Sequence, residues 1–543
     1  MDWASLVRWA AGTALRLPPR QTNTVKLEEG LRCPMRDGVS LITDRYHSPA
    51  FPQAPVVLMR SPYGRGAMFG IMAGLMAERG LQVVVQSVRG TAGSEGRFDP
   101  MRQERADGAD CVDWLRAQPW FGGRLFTNSM SYLGNVQYAM AMDRADAING
   151  MALGVTLSNF ADELRAGGGG LTLRGMLSWT QTMRMVASEG GGGARRRPPS
   201  LDEHFDHLPL GTIDSKSFDA PVPHWQDWMA HEDAGDEFWQ AMDYSAGVTK
   251  ATAPAMMTAG WRDIFLPFQL KDFAARQAAG LETWLTIGPW QHASPGGMIA
   301  GLKDAVMGFP RIAQGQPALA GRDKVRVYVE GAGQWREFAT WPPPGGAELR
   351  LHLCADGSLA LEPGDAGTSR YTYDPANPTP AVHGPALMGG KKLRNMAALE
   401  SRADSLSFTS TPLDYPCEVI GPVTVELSVQ SDRDHTDFYA CLCDVDPKGR
   451  AIQICDGYIR LSPGKPEASA DGTRQIEIEC WPTAWQFKPG HRMRLIVASG
   501  AHPRYARNLG TGEPMATATR MVTAQQQILH GAAARSALVV RQY

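Results

Sequence analysis

Two short apolar runs, in APVVLMRSPYG and LQVVVQSVRG, constrain the fold of this chain most strongly. Each is a continuous stretch of Val, Leu or Met, the pattern of a strand buried on both faces of a sheet. The segment between them, AMFGIMAGLMAERG, predicts a helix that ends at Gly80. Buried strands separated by a helix predict a mostly parallel, doubly wound α/β sheet.

The α/β pattern occupies residues 26–150 and returns at 245–320, in ATAPAMMTAGWRDIF and TWLTIGPWQHASPGG. Between these parts, residues 151–244 carry glycine runs and helical pieces rich in Trp and Met, and no convincing strand. This composition predicts a helical cap insertion with loops. After residue 320 the chain becomes a series of short alternating strands separated by Gly, Pro and Asp turns. Residues 321–543 therefore predict an all-β sandwich domain.

The N-terminal 25 residues predict an amphipathic helix that docks on the body through Trp3, Leu6, Val7, Ala10 and Leu15. Arg8 interrupts the apolar run and no clear cleavage site follows, which argues against a secretory signal. No run of about 18 apolar residues occurs, so we expect no integral membrane segment and a cytoplasmic protein. Homo-oligomer formation stays open.

The charge and cysteine content exclude several other classes of protein. The formal net charge is −2 and no concentrated basic surface is evident, so a nucleic-acid partner is not expected. The eight cysteines form no C-x-x-C pair. Free thiols serving as small core residues are the favoured interpretation, rather than disulfides or a zinc site, and we expect no metal or cofactor.

The stretch TNSMSYLGN, residues 127–135, resembles the sharp strand-to-helix turn that exposes a catalytic serine. That turn is usually written G-x-S-x-G, whereas Ser129 takes the first glycine position here and Gly134 comes one residue late. The strand RLFTNSM precedes Ser131 and a predicted helix follows it. Ser129 would lie inside the strand, so Ser131 is the better candidate nucleophile.

Two further residues complete a serine, acid and base set in chain order. Asp263 follows one predicted strand, in GWRDIF, and His292 follows another, in GPWQHAS. The order Ser, Asp, His is that of α/β-hydrolases, which place the acid and the base on loops at the carboxyl edge of the sheet. From spacing alone, a helix cap at Asp263 and a loop histidine at His292 are about equally good interpretations.

The motifs together resemble the CocE/NonD hydrolases, a group that includes bacterial cocaine esterase, α-amino acid ester hydrolases and, more distantly, X-Pro dipeptidyl peptidases. The matching segments are RSPYG, VRGTAGSEGRF, NSMSYLG, GWRDIF, GPWQH and, in the last third, GPVTVELSV and FKPGHRMRLIVASGAHPRYARN. The resemblance covers nearly the whole chain. It implies an α/β-hydrolase domain with a helical cap and a C-terminal jelly roll.

The resemblance also implies roles for individual residues. Ser131 falls on the nucleophile, His292 on the general base and Asp263 on its orienting acid. The Tyr63 hydroxyl and the backbone N–H of Tyr132 fall on the oxyanion donors. The chain departs from the family pattern at two positions: Ser129 replaces the usual glycine, and Ser87 stands where relatives commonly carry Asp. Neither departure removes a catalytic group, so we expect both to adjust the activity rather than abolish it.

Substrate preference is harder to predict than the reaction. Phe265 matches a position that lines the acyl pocket of esterases in this group, and Trp179 of the cap could complete that pocket. Relatives that take α-amino acid esters hold the ammonium with carboxylates, but Asp162 and Glu163 are better interpreted here as a solvated helix end. We therefore expect a neutral acyl group.

The sequence favours a serine hydrolase that cleaves a small-molecule carboxylic ester, or less readily an amide, through an acyl-serine intermediate. Three alternatives remain open. The same acyl-enzyme could transfer its acyl group to an amine or alcohol in biosynthesis. An amidase like the X-Pro dipeptidyl peptidases would use the same residues. A non-catalytic protein would use the jelly roll for binding.

Overall fold

A computed structural model describes residues 3–165, 168–188, 199–387 and 395–543. The predicted loop residues 166–167 and 189–198 lie outside these ranges. The chain forms two compact units, each described by itself. Unit 1 comprises Met1–Ala161, Trp179–Ser200 and Gly235–Val325, and unit 2 comprises Asp162–Ser178, Leu201–Ala234 and Arg326–Tyr543.

Unit 1 is built on a largely parallel sheet. Its strands are β1 (Lys26–Pro34), β2 (Ser40–His47), β3 (Val56–Ser61), β4 (Gln82–Ser87), β5 (Leu125–Met130), β6 (Ile148–Gly154), β7 (Ala255–Arg262) and β8 (Thr283–Gln291). They are hydrogen-bonded in the order β1-β2-β4-β3-β5-β6-β7-β8. The β1–β2 and β2–β4 pairs are antiparallel. From β4 to β8 every neighbouring pair is parallel.

Helices separate the strands, as the sequence predicts. The helices are α1 (Trp3–Ala14), α2 (Ala67–Ala77), α3 (Glu104–Arg116), α4 (Tyr132–Arg144), α5 (Phe160–Leu164), α6 (Leu173–Ser188), α7 (Ile213–Phe218), α8 (Pro223–Ala230), α9 (Glu237–Gln240), α10 (Ser245–Lys250), α11 (Leu266–Ala278), α12 (Pro295–Ala313) and α13 (Ala397–Glu400).

Alternate residues of the central strands enter two different cores. Val57 and Met59 of β3 belong to a cluster that contains Phe309 of α12. Val56 and Leu58 belong to a second cluster that contains Leu115 of α3. Because successive side chains of a strand point to opposite faces, a sheet covered by helices on both faces needs apolar residues at every position. The continuous apolar runs are explained by this burial, and the predicted α/β class is confirmed.

The segment between β6 and β7 is helical, carrying α5 to α10, and no named strand falls within its described residues beyond Gly154. Strand β6 continues to Gly154, past the predicted start of the insertion at residue 151. The insertion does not form a single body, since its residues are divided between the two units. Short apolar pieces in a glycine-rich region give no periodicity from which that division could be predicted.

Unit 2 contains two antiparallel sheets. The strands that follow β8 in the described residues are β9 (Val325–Val329), β10 (Gln334–Phe338), β11 (Ala347–Leu353), β12 (Leu359–Ala360), β13 (Gly367–Tyr373), β14 (Ser405–Thr409), β15 (Cys417–Ser431), β16 (Thr436–Val445), β17 (Ala451–Leu461), β18 (Arg474–Phe487), β19 (Arg492–Ala498), β20 (Ala524–His530) and β21 (Ala537–Gln542). Strands β9 and β10 belong to neither of these two sheets. One sheet has the order β12-β11-β21-β15-β20-β13, with β18 also paired to β15, and the other β14-β19-β16-β17. Apolar side chains from both sheets share one core, which confirms the predicted sandwich.

Helix α1 contacts α2 through a face that only partly coincides with the predicted one. Arg8 Nε lies 2.8 Å from Glu78 Oε1, and Ala11 and Leu15 pack against the core cluster of Phe309. Leu6 is 50% exposed and Ala10 is also exposed. The predicted face was therefore correct for Leu15 and wrong for Leu6 and Ala10. The packed side also includes Arg8, whose aliphatic stem and ion pair with Glu78 a pattern of apolar residues leaves out.

All eight cysteines are free and buried, which confirms their interpretation as small core residues. Among the helices of the described ranges, none has the length and apolar character needed to cross a membrane.

Candidate active site

Ser131 occupies a sharp turn between β5 and α4. Its backbone has φ 59° and ψ −131°, a left-handed conformation that a residue with a Cβ seldom adopts. Hydrogen bonds fix the turn on both sides: the Ser131 N–H donates to the Gly154 carbonyl at 2.9 Å, and its carbonyl accepts from the Gly134 N–H at 2.8 Å. Strain of this kind costs about 1–3 kcal/mol and is typical of nucleophile elbows.

The residues around the elbow explain why its motif departs from G-x-S-x-G at Ser129 and Gly134. A Cβ at Gly134 would lie 2.5 Å from the Thr156 side chain, so glycine is needed there for α4 to approach the segment after β6. Ser129 has a φ of 159°, close to fully extended backbone that any residue adopts. It also lines a cavity of about 50 Å³. The glycine requirement at Gly134 is therefore strict, and the one at Ser129 is not.

Ser131, His292 and Asp263 form one continuous hydrogen-bonded chain. His292 Nε2 lies 2.8 Å from Ser131 Oγ, and His292 Nδ1 lies 2.8 Å from Asp263 Oδ2. Asp263 follows β7 and His292 follows β8, and these strands are parallel neighbours. Their carboxyl ends therefore place the acid and the base side by side.

Asp263 is held in one orientation by the loop that carries it. The carboxylate is fully buried, and its second oxygen, Oδ1, accepts a hydrogen bond from the Phe265 N–H at 2.7 Å. Each carboxylate oxygen thus has a dedicated donor. Because the Phe265 backbone is fixed, the oxygen that faces His292 is fixed as well.

Tyr63 lies in the loop after β3, where its N–H donates to Ser61 Oγ at 3.0 Å. Burial raises the pKa of the Tyr63 phenol, and hydrogen bonds with the side chains of Trp179 and Ser131 act in the opposite direction. The phenol is therefore a neutral hydroxyl at pH 7, next to Ser131. A neutral phenol is a good hydrogen-bond donor to a developing oxyanion.

Tyr132 follows Ser131 directly as the first residue of α4. The first N–H groups of a helix have no partner within that helix, so the Tyr132 N–H is available to a ligand at the elbow. The side chain is buried, and its hydroxyl donates to Glu104 Oε1 at 2.7 Å. Glu104 in turn pairs with Arg60 at 2.7 Å. This buried network, which the sequence did not suggest, anchors the start of α4.

Trp179 contacts the side chains of both tyrosines. Its Nε1–H donates to the Tyr63 hydroxyl oxygen at 3.0 Å. Its ring stacks on Tyr132, with centroids 6.3 Å apart and planes 11° apart. Phe98 lies against both rings, 6.2 Å from Tyr132 and 6.4 Å from Trp179. Phe98 ends the SEGRF stretch, and no periodicity in that loop could have predicted its role.

Phe265 lies beside the histidine of the site. Its ring is 5.0 Å from the His292 ring and nearly perpendicular to it, at 84°. The structure thus places Phe265 next to the reacting groups, where an apolar acyl group could contact it. A role for Phe265 and Trp179 in substrate binding stays a prediction.

The second departure from the family motif, Ser87, has a structural explanation. Ser87 is buried, and its Oγ accepts from Arg65 Nη1 at 2.5 Å. Arg65 Nε lies 3.0 Å from Asp44 Oδ2 on β2. Arg65 therefore has an acidic partner in Asp44 and a neutral acceptor in Ser87.

The interpretation of Asp162 and Glu163 as a solvated helix end was wrong for Glu163. Glu163 is only 3% exposed, in the short helix α5, and Asp162 is half-buried. Burial raises the pKa of the Tyr505 phenol, and the Glu163 carboxylate adds to that effect. A five-residue helix is too short to show from sequence which of its faces is buried.

Comparison with known proteins gives the same family along both parts of the chain. Residues 37–294 match the family X-Pro dipeptidyl-peptidase (S15 family), and residues 319–539 match the X-Pro dipeptidyl-peptidase C-terminal non-catalytic domain. The chain is 30% identical to cocaine esterase of Rhodococcus sp. (strain MB1 Bresler), over 92% of this chain and 95% of that protein.

Two solved structures share the fold over nearly the full length. An aminopeptidase from a marine sediment archaeon, Thaumarchaeota archaeon, is 20% identical with a TM-score of 0.80, covering 97% of this chain and 98% of its own. An α-amino acid ester hydrolase is 21% identical with a TM-score of 0.79, covering 97% of each chain. At these identities the likeness shows the fold alone. Because the likeness to cocaine esterase spans almost all of both chains, this chain belongs to the CocE/NonD family of serine hydrolases.

Proposed function

We propose that this enzyme cleaves a small-molecule carboxylic ester through an acyl intermediate on Ser131. The observation that carries the proposal is the chain of two 2.8 Å contacts from Ser131 Oγ through His292 to Asp263. A serine hydroxyl becomes nucleophilic when a positioned base accepts its proton as it attacks. His292 Nε2 lies within that reach, and Asp263 holds the tautomer that has its lone pair on Nε2.

The reaction would proceed in two halves. Ser131 Oγ attacks the ester carbonyl as His292 accepts its proton, and His292 then gives that proton to the departing alkoxide. Water enters, His292 removes one of its protons, and the hydroxide attacks the acyl carbon. The carboxylic acid leaves and Oγ recovers its proton from His292. Each half forms a tetrahedral oxyanion next to the elbow.

The Tyr63 hydroxyl and the Tyr132 N–H are the proposed donors to that oxyanion. The Tyr63 hydroxyl adjoins Ser131, and the Tyr132 N–H is the orphan donor that follows it. Donors that are already oriented lower the barrier because they need no reorganisation as the charge develops.

We infer that the acyl group is neutral. Phe265 presents an apolar ring beside His292, and the carboxylate of the site, Asp263, is already bonded to His292. Neither would hold the ammonium of an α-amino acyl group.

Ester cleavage and peptide cleavage are separated by comparing two chromogenic substrates. The match to the X-Pro dipeptidyl-peptidase family favours amide cleavage as a second candidate, while the likeness to an esterase over the full chain favours esters. We expect release of p-nitrophenol from p-nitrophenyl butyrate and none of p-nitroaniline from an Xaa-Pro anilide. The reverse preference would contradict the proposal. Butyryl transfer to an added alcohol in preference to water would indicate an acyltransferase.

Replacing Tyr63 by phenylalanine removes one oxyanion donor and leaves the ring. We expect kcat for p-nitrophenyl butyrate to fall about 10²–10³-fold with little change in KM, because the bond forms in the transition state. Tyr415→Phe is the matched control, since Tyr415 is 81% exposed. An unchanged kcat in Tyr63→Phe would exclude the hydroxyl as a donor.

A further inference from the structure

The hydrogen bond between Trp179 and Tyr63 has a fixed direction. An indole N–H can donate but cannot accept. Trp179 Nε1 therefore gives its proton to the Tyr63 hydroxyl oxygen, at 3.0 Å. That oxygen carries two lone pairs and one proton of its own. With one lone pair bound to the indole, the phenol proton must point away from Trp179.

The indole is itself held in place by aromatic neighbours. It stacks on Tyr132 at 11° between planes and contacts Phe98 at 6.4 Å. Phe98 is fixed by a close backbone approach, because a Cβ on Gly90 would lie 2.2 Å from the Phe98 nitrogen. Gly90 has a φ of 69°, so glycine suits both the space and the backbone. Trp179 is thus a rigid donor rather than a freely rotating side chain.

We propose that Trp179 is a positioning residue that directs the Tyr63 hydroxyl proton toward the oxyanion of the acylation and deacylation steps. This inference rests on the proposed function, in which Tyr63 is an oxyanion donor. It adds to the predicted contact of Trp179 with substrate a role that acts through Tyr63.

Two physical effects follow from this bond. A hydroxyl that accepts one hydrogen bond becomes a stronger donor in the next, because neighbouring hydrogen bonds polarise each other. The phenol also loses the rotamers in which its proton points at the indole. Both effects act on kcat, since the ground-state carbonyl demands less from the donor than the oxyanion does.

A double-mutant cycle tests the inference. Trp179→Phe, Tyr63→Phe and the double variant are compared with the wild type on p-nitrophenyl butyrate, with active sites counted by fluorophosphonate labelling and folding checked by thermal unfolding. We expect Trp179→Phe to lower kcat about tenfold with KM nearly unchanged. In the Tyr63→Phe background the same substitution should have almost no effect. Trp9→Phe, at an exposed site, is the matched control.

Other results of the cycle would separate a failure of this inference from a failure of the esterase proposal. A rise in KM alone would mean that Trp179 only contacts the substrate. An equal loss of kcat in the wild-type and Tyr63→Phe backgrounds would show a purely structural role. Either result overturns the inference and leaves the esterase proposal intact. A wild type that neither labels nor hydrolyses overturns both. If Trp179→Phe does not fold, Phe98→Leu, which weakens the support of the indole and also the contact with the Tyr132 ring, should show the same dependence on Tyr63.

Discussion

Ser131→Ala is expected to lower kcat for p-nitrophenyl butyrate by at least about 10⁴-fold. Alanine leaves His292 Nε2 without the hydroxyl that lies 2.8 Å away, so no acyl-enzyme can form. The fold should persist, because alanine and serine share a Cβ and meet the same strain at a φ of 59°. Kinetics on protein with an unchanged thermal unfolding transition measure the effect.

Ser129→Gly is the matched control for the elbow. Ser129 lies in β5 with near-extended backbone and lines a small cavity, so a glycine there should keep activity. Fluorophosphonate labelling followed by peptide mapping provides an independent check, and we expect the modified residue to be Ser131. Label on Ser129, or activity retained in Ser131→Ala and lost in Ser129→Gly, would refute the assignment of the nucleophile.

Much of the fold could be predicted because strands that are buried on both faces are recognisable in the sequence as continuous apolar runs. The runs around Val57 and Val84 are apolar at every position since both faces of the sheet are covered. Strand β16 shows the limit of this argument. It is buried along its whole length yet contains Asp437 and Asp444, which are paired with Arg460 and His491. Such partners are distant in sequence, so a periodicity pattern cannot include them.

The predicted site could also be assembled from local patterns, because the apolar run of each buried strand shows where that strand ends. Ser131, Asp263 and His292 each follow a buried strand, and parallel strands bring their carboxyl ends together. The bond from Trp179 to Tyr63 had no such signal, because it joins the loop after β3 to α6, a helix of the insertion. The network of Tyr132, Glu104 and Arg60 was missed likewise. Side-chain contacts between distant segments depend on packing, which spacing does not encode.

Asp263→Asn is expected to lower kcat about 10⁴-fold, through the tautomer of His292. In the wild type the Phe265 N–H donates to Oδ1 and His292 Nδ1 lies against Oδ2. An asparagine must turn its oxygen toward the Phe265 N–H, because a backbone donor cannot reverse its role. Its NH₂ group then faces His292 and donates to Nδ1, which forces the imidazole proton onto Nε2.

A histidine protonated at Nε2 can no longer accept the proton of Ser131, so the attack loses its base while the geometry stays almost unchanged. The measurement is kcat together with the rate of fluorophosphonate labelling, and both should fall. Asp143→Asn, which breaks a more exposed contact with Arg105, is the control and should leave both rates as they are. A loss of less than about tenfold in Asp263→Asn would contradict this prediction. It would mean that His292 keeps a lone pair on Nε2, the atom 2.8 Å from Ser131 Oγ, without help from the carboxylate.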